Sequence, residues 1–241
     1  MSRRAGWLAL CILLALPAMA QAQSVSLDLG DGGSLSMRSV QFILLITVLS
    51  IVPGLAIMLT CFPFIVTVLA ILRQAIGLQQ SPPNMLIVSL ALFLTYFVME
   101  PTFTQAWQAG ILPLTENLVS PEQGFELTLA PFRDFMSARV DAETLERLRA
   151  LRPAPADAGA DTPLSVLIPS FMLSEVERAF QIGFLIYLPF LIIDLVVAAV
   201  LMSMGMMMVP PAVVAMPFKL AFFVVADGWP LISEALVRGY F

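Results

Sequence analysis

Five methionines stand within seven residues, at Met202, Met204, Met206, Met207 and Met208. A thioether on an unbranched stem is soft and fills irregular gaps. Gly205 and Pro210-Pro211 break a helix around the cluster, which puts Met206, Met207 and Met208 on a loop. Several copies of such a loop about one axis could close on themselves or around a moving polypeptide. Met also replaces Leu in ordinary packing, and the residues alone leave both readings open.

A second constellation is a charge pair. Asp194 and Lys219 are the only charged residues between Arg178 and Asp227. Their midpoint falls in the Gly-Met-Met-Met-Val-Pro-Pro turn. If residues 179–203 and 212–226 form an antiparallel hairpin, both side chains sit about 12 residues, or about 18 Å, from that turn. Isolated intramembrane charges are costly and usually pair or face a polar cavity. A pair that fixes the hairpin or binds a neighbouring chain fits the pattern; so does a proton or ion relay. A third stretch, Arg73 to Asn84, holds Gly77 and Pro82-Pro83 and reads as a polar connector between two apolar helices.

Much other chemistry is excluded. The 241 residues contain no His, which removes Ser-His-Asp and Cys-His catalysis and His metal sites. Lys219 is the one lysine, so there is no Walker A site. Cys11 and Cys61 are too few for a zinc or iron–sulfur site. No cofactor and no catalytic residue is expected. A net charge of −5 argues against a nucleic-acid partner.

The elements that position these residues are apolar. Hydrophobic residues make up 59% of the chain and charged residues 12%, and the mean hydropathy is +0.92. A single aqueous core cannot hide that much apolar surface. The chain therefore reads as an all-α membrane protein, because an open strand cannot satisfy its backbone in lipid. Four apolar segments stand out, at 39–72, 85–99, 179–203 and 212–226. The first would reach about 51 Å as one helix, against about 30 Å of hydrocarbon. Pro53-Gly54 and Pro63 lie inside it, and Pro189 and Pro217 interrupt the third and fourth. The segments are either tilted, kinked spans or broken helices packed on other chains.

Three regions frame them. Residues 1–22 have Arg3 and Arg4, an apolar run from Trp7 to Leu16, then Pro17 and small residues, as in a cleaved secretory signal. The mature chain is expected to start in the periplasm with a Gly/Ser/Asp-rich leader, Ser24 to Ser36. Residues 100–165 are acidic and read as an extramembranous periplasmic loop. There Asp141 can cap a short helix with Glu143 and Arg147 at i, i+4. Pro153 to Pro163 reads as a flexible linker. Ser174 with Glu177 has the capping-box pattern and is expected to open the third apolar helix.

Certain blocks carry a resemblance. They are AFQIGFLIYLPFLIIDLVVAAVLMSMGMMMVPP, PFKLAFFVVADGWPL, Leu72 to Gly77, Ser81 to Asn84, LALFLTYFVMEP and PSFMLSEVERAFQ. The sequence resembles the FliP family, membrane components of the flagellar type III protein-export gate shared with virulence secretion systems. It departs from the family where Pro63-Phe64 replaces a Thr-Arg pair, and Ser137 to Leu151 matches weakly.

The resemblance implies kinked helical hairpins that assemble with copies of the chain and with FliQ-like and FliR-like subunits around a central pore. Other export-apparatus membrane proteins are implied as partners. Unfolded flagellar proteins would cross the bacterial inner membrane there, within the basal body. The Met206, Met207 and Met208 loop would point into the pore. The alternative is a small-solute or ion transporter using Asp194 and Lys219.

Overall fold

The computed structural model describes residues 35–77, 82–151 and 162–241, and every regular element among them is helical. The expected signal at 1–22, nearly all of the leader and nearly all of the Pro153–Pro163 linker lie outside the described residues. The described residues fall into two units, divided between Thr47 and Val48.

Helix α1, Leu35–Met58, starts in the first unit and ends in the second, and runs straight through Pro53-Gly54. Ile43, Leu44, Ile46 and Leu49 are all exposed on it. The break expected inside the first apolar segment comes instead at Leu59–Cys61. Thr60 Oγ1 donates there to the Ile57 carbonyl at 2.7 Å and accepts from the Phe62 N–H at 3.3 Å. Helix α2, Phe62–Ile76, then begins with Pro63 in its first turn, where a missing N–H costs nothing. It ends at Gly77, whose φ of +87° suits glycine.

Helix α3, Asn84–Ala106, continues through a π-helical turn at Trp107–Ile111 into α4, Leu112–Thr115. Helical structure thus extends past Glu100 into the stretch read as a loop. Gly110 in the π turn lies against helix α5, Pro121–Arg139: a Cβ there would stand 2.5 Å from the Thr128 nitrogen. Ser120 and Gln123 form a reciprocal capping box at the start of α5. Helix α6, Ala142–Leu151, carries the expected cap, with Asp141 Oδ2 accepting from the Thr144 N–H at 2.8 Å. The expected Glu143–Arg147 pair is 2.5 Å long.

Helix α7 runs for 40 residues, Leu164–Ser203, and corrects the Ser174 capping box. Ser174 is buried well inside the helix, not at its start. Its hydroxyl donates to the Ser170 carbonyl at 2.8 Å and accepts from the Asp141 N–H at 2.9 Å, so it serves the start of α6 instead. The turns before it are held by Leu167 and Phe171, which pack with Met136 of α5. Pro189 lies inside α7 without ending it, and so does Pro217 in helix α8, Pro211–Val225. Helix α9, Gly228–Arg238, follows at a bend of 62°. Gly228 fits the bend because a Cβ would stand 2.1 Å from the Phe223 ring.

The core is built around α2. Phe64, Ile65, Val68, Leu69, Leu72, Ala75 and Ile76 are all buried on it. Helix α7 packs along α2, and Gly183 meets Ile71 there; a Cβ would be 2.4 Å from Ile71 Cδ1. By length and composition, two described helical runs can cross a bilayer, Asn84–Thr115 and Leu164–Ser203. A third exists if α8 and α9 form one bent span. The protein is an all-α membrane protein.

Candidate functional site

The methionine loop joins α7 to α8. Helix α7 ends because Gly205 adopts a left-handed conformation, φ +74°. The Gly205 N–H donates to the Met202 carbonyl at 3.1 Å and the Met206 N–H to the Leu201 carbonyl at 2.9 Å. These two bonds make a Schellman motif, which satisfies carbonyls that the helix end would orphan. Pro210 and Pro211 then restart the chain as α8, where a fixed φ suits the first turn. Met206, Met207 and Met208 between these stops, and Met204 just before them, are exposed. The loop presents thioethers outward from a fixed backbone. It carries no charge and no catalytic group.

Behind the loop, α7 and α8 run as a hairpin, and the charge pair bridges them. Lys219 Nζ stands 2.6 Å from Asp194 Oδ2. It also donates to the Ala75 carbonyl at 3.0 Å. Ala75 lies in the last turn of α2, where carbonyls lack helical donors and the macrodipole is negative. One ammonium therefore ties three helices at one buried point. Asp194 Oδ1 is enclosed and has no hydrogen-bond partner among the described residues. The Arg73–Asn84 connector closes on itself through a hydrogen bond from Arg73 to the Asn84 side chain.

A further polar cluster escaped the reading of the sequence. Glu175 is fully buried on α7. Arg139 Nε, at the end of α5, lies 3.0 Å from its Oε1. The Tyr240 hydroxyl donates to Oε2 at 2.5 Å. Arg139 also donates to the Gly239 carbonyl at 2.9 Å and lies over the Tyr240 ring, 3.8 Å from its centroid. Phe64 meets that ring edge-on at 5.7 Å, so Pro63-Phe64 places an aromatic on Tyr240. Burial, and then the Glu175 carboxylate charge, push the Tyr240 phenol well above its ordinary pKa. One sign of this cluster is present in the sequence: Glu175 shares a helical face with Phe171 and Ala179, four residues away on either side.

Comparison with known proteins follows the same lines. Residues 45–236 match the FliP family. The chain is 52% identical over 227 residues to the flagellar biosynthetic protein FliP of Caulobacter vibrioides, covering 93% of this chain and 85% of that one. It is 43% identical to the protein of that name from Agrobacterium fabrum, over 96% and 97% of the two chains. For the Bacillus subtilis protein the figure is 42%, over 84% and 92%.

Proposed function

The chain belongs to the FliP family, and from that premise we propose that it is a pore-forming subunit of the flagellar protein-export gate in the bacterial inner membrane. Copies of the chain assemble with FliQ-like and FliR-like subunits and with other export-apparatus membrane proteins. Unfolded flagellar proteins pass through the middle. The leader and the acidic region lie on the periplasmic side. The chain contributes a conduit rather than a reaction.

One observation carries this reading: an uncharged loop of exposed thioethers, held at the tip of a hairpin that an internal ion pair bridges. Each contact between apolar atoms is worth only about 0.1–0.2 kcal/mol, so a ring of Met206, Met207 and Met208 side chains can part around a substrate and reclose. Rigid, branched side chains would fit one state only. The apolar surface supports assembly as well. Phe93, Phe97, Phe180, Phe184 and Leu195 are exposed in the single chain, on α3 and α7, and need lipid or sister subunits to cover them.

The test is the triple change Met206→Ala, Met207→Ala and Met208→Ala. Shortened side chains leave the closed ring wider. Cells that assemble the variant complex are expected to leak ions or small solutes. Wild-type conductance in an assembled triple variant would make these methionines ordinary packing.

A further inference from the structure

Among the described residues, methionines lie both in the core and at the surface. Met99 and Met136 are buried in the helical core, at 0% and 1% exposure. Met207 and Met208 stand out at 85% and 98%, with Met204 and Met206 exposed beside them. Cys61, the one thiol among the described residues, is buried. Gly205 has no neighbouring atom within 4 Å of where a Cβ would sit, so the approach to the loop is open. Among the described residues, exposed methionine sulfur is therefore clustered in this loop, with Met58 and Met85 exposed singly elsewhere.

We infer that the loop is an oxidant-sensitive modification site, in which Met204, Met206, Met207 and Met208 are converted to methionine sulfoxide and the seal loosens as a result. This inference rests on the seal reading above. The reagent is a two-electron oxidant of the peroxide class. A thioether lone pair attacks one peroxide oxygen and the O–O bond breaks. Sulfur gains that oxygen and is oxidised by two electrons, and the other oxygen leaves as water. The sulfoxide is polar where the thioether was not. A ring closed by weak apolar contacts then takes up water between its side chains. Reduction restores the seal: a methionine sulfoxide reductase consumes two thiols, forms a disulfide and releases the oxygen as water.

The experiment treats the detergent-extracted complex, and the same complex in liposomes, with hydrogen peroxide. Peptide mass analysis is expected to find one added oxygen on the loop methionines at least about fivefold faster than on Met99 and Met136, because oxidation follows exposure. Liposome conductance should rise with loop oxidation and return after treatment with reductase and dithiothreitol. A quadruple Leu variant (Met204→Leu, Met206→Leu, Met207→Leu, Met208→Leu) keeps an apolar loop in which none of these four side chains can take up oxygen. It should assemble, stay closed and lose the response to peroxide. Met85 is exposed far from the loop in sequence, on α3, and Met85→Leu should respond as the wild type does.

Equal oxidation of loop and core methionines would overturn the inference. So would unchanged conductance of a fully oxidised loop in a complex whose triple Ala variant leaks, and in that case the seal reading survives. If the triple Ala variant itself stays closed, the seal reading and this inference fall together.

Discussion

Lys219 divides its ammonium between a carboxylate on α7 and a carbonyl at the end of α2. Removing either charge of a buried pair typically costs about 3–5 kcal/mol, because the other is left uncompensated. Asp194→Ala is therefore expected to lower the yield of assembled complex sharply, as measured by native gel after mild extraction. The double exchange Asp194→Lys with Lys219→Asp should restore assembly only in part, since it points a carboxylate at the Ala75 carbonyl. Full assembly of Asp194→Ala would show that the pair is dispensable. Tyr240 gives a prediction in pH. Its phenol is held protonated in the folded chain, so folding binds a proton that the unfolded chain releases above its ordinary pKa. The stability this provides is complete below about pH 10 and is lost as pH rises beyond it. Tyr240→Phe should cost about 1.5–3 kcal/mol at neutral pH, the usual worth of a hydrogen bond to a charged group. It should also flatten the alkaline loss of thermal stability in detergent. An unchanged alkaline slope in the variant would place the titration elsewhere.

Among the elements, two glycines take the same added methyl group with different consequences. Gly205 lies in open space but at positive φ, so Gly205→Ala costs about 1–2 kcal/mol through the left-handed backbone alone. Gly110→Ala drives a Cβ against the backbone of α5, where the Thr128 nitrogen and the Gly124 carbonyl cannot yield as a side-chain end would. It should cost more, on the order of 3 kcal/mol, and melt the α5 packing first. Thermal inactivation of the two variants ranks them, and the reverse order would refute the close approach. The sequence showed the α7 stop because Gly205 and the prolines act within one turn. It also showed the Asp141 cap, which is equally local. The same local logic misread Ser174, whose hydroxyl is claimed by Asp141, 33 residues away. Pro53-Gly54 looked like a break, yet helix α1 carries both residues without stopping. Glu175 finds Arg139 at 36 residues and Tyr240 at 65. No periodicity encodes separations of that kind, so the partners of Glu175 appear only once the helices are packed.

At the scale of the whole molecule, the expected secretory signal has a direct test. N-terminal sequencing of the membrane-extracted protein should begin near Gln21 or Gln23, after the small residues that follow Pro17. A start at Met1 or Ser2 would reverse the topology drawn for the acidic region. The three-helix tie at Lys219 also has a consequence in time. Synthesis proceeds at about 5–20 residues per second. Ala75 and Asp194 precede Lys219 by 144 and 25 residues. The carbonyl of Ala75 therefore waits about 7–29 s for its donor, and Asp194 waits about 1–5 s for its counter-charge. A lone Asp at the centre of an inserting helix costs about 2.5–3.5 kcal/mol. Helix α7 is thus a poor candidate for entering the bilayer before α8 exists, and the two are best delivered together as a finished hairpin. The ribosome, by supplying Lys219 last, sets the moment at which all three helices become committed to one another.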